Sequence, residues 1–189
     1  NIPYEALEVG QTASYSKTVE ERDIQLFAAM SGDHNPVHLD AEFAAASMFK
    51  ERIAHGMFSG ALISAAVACE LPGPGTIYIG QQMSFQKPVK IGDTLTVRLE
   101  ILEKLPKFRV RIATRVFNQR DELVVDGEAE ILAPRKQQTV TLPTLPAIHG
   151  AKIGCPDVPA TGFAGDGPFG IAMNEMTACG RSDWPPITM

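Results

Sequence analysis

The sequence predicts an α+β domain in which a meandering antiparallel sheet packs against one buried helix. The first observation is the stretch from Met57 to Glu70, which carries no charge before its last residue and contains many small residues. Such a helix is expected to be buried on most sides and to let strands approach closely. The second is a set of four strand-like segments, at residues 77–86, 95–101, 109–116 and 123–132. Alternation of apolar and polar residues there predicts one buried and one solvated sheet face.

The residues before the buried helix predict one strand, over residues 12–18, and two short helices. Thr18 and Glu21 have the spacing of a capping box, so the first helix is expected to start there, and Gly32 suits its end. Asp40 can cap a second helix over residues 41–49. Because one helix covers little of a long sheet, we expect an exposed edge or face to seal against a second copy of the chain, giving a homodimer or a higher oligomer.

Composition and charge are those of an ordinary soluble globular protein. Of 189 residues, 44% are apolar and 21% are charged, and 17 basic against 22 acidic residues give a net charge of −5. That balance argues against a general nucleic-acid binder, which needs a basic face. No apolar run reaches the ~20 residues that span a bilayer, and no secretory signal is visible. Three widely spaced cysteines fit neither a disulfide framework nor a CxxC metal site, so we expect a cytoplasmic protein: Cys69, Cys155 and Cys179.

A change of composition near Pro134 predicts where the folded domain ends. Residues 134–189 hold 8 of the 14 prolines and 7 of the 16 glycines. Pro and Gly at that density oppose regular hydrogen bonding and make ordering costly. We therefore interpret residues 1–133 as the folded domain and residues 134–189 as a linker or tail without clear domain identity.

The most informative segment is residues 27–40. It places a carboxylate, Asp33, and an imidazole, His38, five residues apart across a turn that Pro36 stiffens. Taken singly, each has a structural reading: Asp33 as a cap, Asn35 and Pro36 as a turn, and His38 as a structural histidine. Together, the pair can be aimed into one cleft. A carboxylate and an imidazole suit proton transfer and the activation of water near neutral pH.

This segment resembles the signature of the MaoC-like, or hydratase 2, family of (R)-specific enoyl-CoA hydratases. The signature is an aromatic residue, a few small or apolar residues, and then Ser/Thr-Gly-Asp-x-Asn-Pro-aliphatic-His, which stands here as Phe27, Ser31, Gly32, Asp33, Asn35, Pro36, Val37 and His38. The resemblance extends over residues 5 to about 133. It includes His55-Gly56-Met57 and the stretch 77–81 with Phe85 and Pro88. It implies a hot-dog fold, in which a curled antiparallel sheet wraps one long helix.

The resemblance also implies an activity and its residues. Trans-2-enoyl-CoA would gain water, reversibly, to give (R)-3-hydroxyacyl-CoA. Asp33 and His38 would activate the water and deliver the α proton, and the backbone N–H of Gly56 would stabilise the oxyanion. A free amide at a helix start, with the positive end of the helix dipole, favours an anion. Ser64 resembles the serine that orients the catalytic Asp, with a core serine as the equal alternative. Asn35 would hold the turn.

Other residues receive weaker assignments. His34 and His55 are expected to be structural, and His149 receives no role. No metal and no cofactor is expected, since the coenzyme A thioester is the substrate. Cations that could meet its phosphates, or simply form a solvated face, are Lys50, Arg52, Lys87 and Lys90. Across the sheet, arginines 109, 111 and 115 are expected to pair with Glu100, Glu128 and Glu130.

Two alternatives to the hydratase remain open. A hot-dog thioesterase shares the fold and ligand class but uses water to cleave the thioester, and fold alone does not separate the two. A non-catalytic acyl-CoA-binding or docking domain is the other. Residues 135–145 resemble the linker that follows the MaoC-like part of bifunctional hydratase–phosphate acetyltransferase proteins.

Overall fold

The computed structural model describes residues 1–142, and its first unit runs from Asn1 to Val140. After a single 3-10 turn at Tyr4–Ala6, the elements follow in this order: β1 (Thr12–Thr18), α1 (Glu21–Ser31), α2 (Pro36–Leu39), α3 (Ala41–Ala46), α4 (Gly56–Cys69), β2 (Ile77–Phe85), β3 (Thr94–Leu105), β4 (Arg109–Phe117) and β5 (Leu123–Leu132).

One five-stranded sheet organises this unit, in the order β1-β3-β4-β5-β2, with every neighbouring pair antiparallel. The edge strands are therefore β1 and β2. Apolar residues alternate along β3 and point into the core: Leu95, Val97, Leu99 and Ile101 are each at most 1% exposed. The predicted α+β arrangement, a meandering sheet against one long helix, is confirmed.

Helix α4 lies against this core through one of its faces. Phe58, Leu62, Ile63, Ala66 and Val67 are buried there. On its other side, two glycines face side chains of strand β2. A Cβ atom added at Gly56 would lie 3.3 Å from the ring of Phe85, and one added at Gly60 would lie 3.3 Å from the methyl of Met83.

The expected burial of α4 on most sides is wrong for the single chain. Met57, Ala61, Ser64 and Ala68 are exposed. They form a stripe at helical spacing along the helix.

The helix starts differ from the predicted ones. The capping box of α1 is formed by Glu20 and Asp23, with the Glu20 N–H donating to Asp23 Oδ2 at 2.9 Å. Thr18 belongs to β1, and its hydroxyl is hydrogen bonded to Thr94 of β3 at 2.8 Å. Helix α3 ends at Ala46 rather than at residue 49, and the single turn α2 precedes it.

The outer face of the sheet carries the predicted ion pairs. Arg109 contacts Glu130, Arg111 contacts Glu128 at 2.6 Å, and Arg115 lies 3.8 Å from Glu100. Ion pairs on a solvent-exposed surface contribute little to stability, so the fold depends mainly on the buried core. A shallow cavity of about 320 Å³ lies on this same face, beside Arg115, Asp126 and Glu128.

The chain continues to contact this unit beyond the predicted boundary at residue 133. The Tyr4 N–H donates to the carbonyl of Pro134 at 2.8 Å, and the Gln138 N–H donates to Asn1 Oδ1 at 2.7 Å. The rest of the predicted tail, with His149 and two of the cysteines, lies outside the described residues from 143 onward. Among residues 1–142, no helix is long and apolar enough to cross a membrane.

Candidate active site

The loop between α1 and α2 holds the two residues that the motif singled out. Gly32 ends α1 in the left-handed conformation, with φ 75°, which glycine adopts at little cost. The side-chain oxygen of Asn35 accepts from the Val37 N–H at 3.2 Å, and Pro36 is the first residue of α2. Asn35 thus caps α2 and holds the turn, as predicted. This local structure leaves Asp33 on the loop and His38 on the helical turn.

His38 is buried, and its tautomer follows from one contact. Its Nδ1 lies 2.8 Å from the carbonyl oxygen of Ile53. Since a carbonyl only accepts, Nδ1 carries the proton and donates it. The other nitrogen, Nε2, therefore carries the lone pair in the neutral ring. It lies 3.9 Å from Oδ2 of Asp33, whose side chain is half exposed.

The separation of these two atoms is informative. A direct hydrogen bond between nitrogen and oxygen spans about 2.7–3.2 Å, so 3.9 Å is too long for one. Both atoms are nevertheless close enough to contact the same small molecule. One side of the pair is open to solvent through Asp33, while His38 is only 7% exposed.

His55 lies in the same cluster, although the sequence predicted only a structural role for it. Its Nε2 donates to the backbone carbonyl of Asp33 at 3.0 Å. Its ring stacks on that of His38, with centroids 3.9 Å apart and planes tilted by 31°, and contacts Phe27 at 4.9 Å. The only sequence signal for this placement was its position directly before Gly56 at the start of α4.

Gly56 is the first residue of α4. The first four N–H groups of a helix have no acceptor within the helix and carry its partial positive charge. The bond from His55 to Asp33 ties this helix start to the loop that carries the carboxylate. The arrangement therefore brings a proton-handling pair beside a candidate anion-binding amide.

The same cluster is the best-placed candidate for a metal ion among the described residues. Ligand atoms of Asp33, His38 and His55 lie within 4.8 Å of one another. One nitrogen of each imidazole is already hydrogen bonded to a backbone carbonyl, however, and the other nitrogen of His55 is buried. A proton-handling role fits this geometry better than metal coordination.

Ser64 does not match either interpretation made for it. It is exposed on α4, and within the described part of the chain its hydroxyl makes no hydrogen bond, to Asp33 or to a backbone carbonyl. It is therefore not a core serine, and in the single chain it does not orient Asp33. The cause is the open side of α4, which the sequence predicted to be buried.

Three of the four cations proposed for coenzyme A are held by acidic partners. Arg52 donates two hydrogen bonds to Glu21, at 2.9 and 2.5 Å, and so lowers the pKa of that carboxyl. Lys87 pairs with Glu122 at 2.5 Å, and Lys90 pairs with Glu51. Lys50 is exposed and has no ion pair among the described residues. It adopts φ 65° and lines a cavity of about 270 Å³ with Arg52 and Ile91.

Comparison with known proteins identifies the family of this chain. Residues 5–121 match the family described as "MaoC like domain". A structure of R-hydratase PhaJ1 from Pseudomonas aeruginosa is 68% identical, with a TM-score of 0.75 over 77% of this chain and 94% of that one. The 3-hydroxybutyryl-CoA dehydratase of Methylorubrum extorquens is 42% identical over 71% of this chain and 86% of its own length. The (R)-specific enoyl-CoA hydratase of Rhodospirillum rubrum is 40% identical over 70% and 92%.

These matches define a hot-dog protein, and within that class the chain belongs to the MaoC-like family. A separate likeness is much shorter. A stretch of 44 residues is 75% identical to the probable sulfoacetaldehyde acetyltransferase of Rhizobium meliloti, which is 23% of this chain and 7% of that protein. That coverage says nothing about the activity of this chain, and membership of a bifunctional assembly stays a prediction.

Proposed function

We propose that this protein catalyses the reversible, (R)-specific hydration of trans-2-enoyl-CoA, with Asp33 and His38 as the catalytic residues. The observation that carries the proposal is the pair itself: Nε2 of His38, which has no hydrogen bond among residues 1–142, faces the Asp33 carboxylate at 3.9 Å beside the start of α4. The hydratase and dehydratase names of the relatives support it. A protein that catalyses this reaction is a hydro-lyase.

The reaction needs two proton transfers and one charge to be stabilised. The oxygen of water bonds to the β carbon and a proton reaches the α carbon, while negative charge develops on the thioester oxygen. A water between Asp33 and His38 can lose a proton to one of the two groups. The other group, when it is protonated, can deliver its proton to the α carbon. The fixed tautomer of His38 directs its Nε2 to this task.

The amide of Gly56 is the proposed donor to the thioester oxygen. It lies at the positive end of α4, where preorganised N–H groups stabilise an oxyanion without rearrangement. A glycine there also lets the thioester approach the backbone closely. No cofactor enters this scheme, because coenzyme A arrives as part of the substrate.

For the nucleotide end of coenzyme A, Lys50 is the best of the four cations. Its ammonium does not have to leave an acidic partner before it meets a phosphate, whereas Arg52, Lys87 and Lys90 would. A freely available Lys is a suitable point charge for a phosphate.

We also infer that the working form is a homodimer, and we expect it in the cytoplasm. Strand β2 is an edge strand with exposed Ile77 and Ile79, and unpaired strand edges invite pairing with another chain. Helix α4, whose glycines face side chains of β2, also exposes a stripe that includes Met57 and Ser64. A second copy of the chain that packs on this side would bury both the edge of β2 and the exposed stripe of α4.

Incubation of purified protein with crotonyl-CoA tests the proposed activity. Hydration removes the enoyl absorbance and releases no thiol, and chiral analysis of the product should show the (R)-3-hydroxy isomer. Release of free thiol would make the protein a thioesterase instead. Binding of crotonyl-CoA without turnover would make it a docking domain.

A further inference from the structure

We infer that His55 is a positioning residue, which holds the two proton-handling groups and the start of α4 in one arrangement. The inference rests on the proposed hydration. Among the described residues, His55 alone joins all three parts: it is hydrogen bonded to Asp33, stacked on His38, and covalently followed by Gly56.

The hydrogen bond to Asp33 fixes the proton of His55. Its acceptor is a carbonyl, so Nε2 must donate, and the neutral ring then carries its lone pair on Nδ1. Nδ1 is buried in a residue only 2% exposed, and it has no hydrogen-bond partner within the described part of the chain. His55 therefore acts as a hydrogen-bond donor through Nε2, and this contact holds the backbone of Asp33 in place.

The stacking contact fixes the plane of His38. That ring is already pinned at Nδ1 by the Ile53 carbonyl, a contact that still allows it to tilt about the hydrogen bond. The His55 ring, with centroids 3.9 Å apart, limits this tilt and so determines where His38 Nε2 points. Phe27 contacts His55 in turn and holds it from α1.

Two variants separate the two contacts. His55→Gln keeps an amide that can donate to the Asp33 carbonyl but removes the stacked ring. His55→Phe keeps a ring and removes the donor. We expect each to lower kcat for crotonyl-CoA by about 10- to 100-fold, because small displacements of catalytic groups have effects of this size. KM should change by less, since His55 contacts no part of the substrate in this account.

A double variant shows whether His55 acts through His38. If it does, His55→Gln added to His38→Gln should lower kcat no further, because the group that it positions is already absent. Independent, multiplying effects would overturn the inference, as would normal kcat in both folded single variants. Turnover by the wild type, measured beside them, separates this failure from failure of the proposed function.

A spectroscopic measurement covers the case in which the variants do not fold. The ¹⁵N spectrum of histidine in the wild type should show His55 with its proton on Nε2 and His38 with its proton on Nδ1. The opposite tautomer at His55 would overturn the inference, whatever the activity of the protein.

Discussion

At the scale of single residues, the site is set by backbone carbonyls that choose which histidine nitrogen holds a proton. Ile53 accepts from Nδ1 of His38, and Asp33 accepts from Nε2 of His55. In the neutral tautomer, His38 Nε2 therefore carries its lone pair 3.9 Å from the Asp33 carboxylate. The chemistry proposed for the site follows from that single orientation.

Replacing either member of the pair should abolish most of the turnover. Asp33→Asn or His38→Gln each removes a group that gains or loses a proton, and loss of a general acid or base lowers kcat by about 10²–10⁴. His34→Gln is the matched control, because His34 is an exposed neighbour on the same loop. We expect it to keep normal kcat. Near-normal turnover in either of the first two variants would contradict the assignment.

The role of Lys50 is testable with two substrates. Lys50→Gln should raise KM for crotonyl-CoA several-fold and leave KM for a crotonyl-pantetheine thioester, which lacks the nucleotide, unchanged. Lys107→Gln is a matched control, since Lys107 is also an exposed lysine at positive φ, in the turn between β3 and β4. Equal effects on both substrates would remove Lys50 from nucleotide binding.

The residue pattern predicted contacts within the site only between residues that are close in the chain, and Gly56 was predicted through the family resemblance. Asp33 and His38 are five residues apart in a stiff turn, so their proximity follows from local structure. His55 reaches Asp33 across 22 residues, and that contact depends on how α4 packs against the loop. The predictions for Ser64 were wrong because its environment also depends on tertiary structure, namely on what covers the open side of α4.

At the scale of elements, Gly127 shows how closely β2, β4 and β5 lie together. A Cβ atom there would be 2.8 Å from Thr114 Oγ1, 2.9 Å from Gln81 Nε2 and 3.0 Å from the Gln82 carbonyl. Thr114 is fully buried, and Gln81 is itself hydrogen bonded to Thr114 and Tyr78. Burial there also raises the pKa of Tyr78 to about 12. The side chains therefore have little freedom to move aside.

Gly127→Ala should accordingly lower the free energy of unfolding by about 1–3 kcal/mol, the usual range for overpacking. Gly80→Ala is the control on the neighbouring strand, where a Cβ atom meets nothing within 4 Å. It should change stability by no more than about 0.5 kcal/mol. Urea denaturation measures both, and equal effects would contradict the close packing described at Gly127.

The loop between β4 and β5 predicts a pH-dependent contribution to stability. Hydrogen bonds from Asn118, Lys87 and Arg120 lower the pKa of Glu122 from 4.5 to about 2. The ionised carboxylate is thus favoured by folding, so its contribution is present above pH 4.5 and is lost as the pH falls toward 2.

Glu122→Gln should therefore lower Tm at pH 7, with the difference from wild type shrinking between pH 4.5 and pH 2. Glu8→Gln, at an exposed carboxylate without an ion pair among the described residues, should leave Tm unchanged throughout. A difference that stays constant with pH would show that Glu122 acts by packing and not by charge.

Helices and strands could be predicted where the residue pattern within the segment itself determines the secondary structure. Alternation along β3 and the charge-free run of α4 identified both. The start of α1 was not predictable in this way, because Thr18 continues β1 and its hydroxyl is used by Thr94, 76 residues away. Glu20 and Asp23 then form the cap in its place.

At the scale of the whole molecule, the proposed dimer depends on the edge of the sheet formed by β2. Ile79→Lys places a charge on this edge, and charged edge residues oppose strand pairing. We expect the wild type to sediment as a dimer and this variant as a monomer. Val9→Lys, at an exposed apolar residue before β1, should remain dimeric. A monomeric wild type would contradict the proposed assembly.

The central claim is that Asp33 and His38 act as a unit on one water molecule. The most direct measurement is kcat for crotonyl-CoA in Asp33→Asn, His38→Gln and the double variant. Residues that act as a unit are strongly non-additive, so the double variant should be no slower than the slower single variant. If the two losses multiply, the groups act on separate steps or separate molecules, and the shared-water account is wrong.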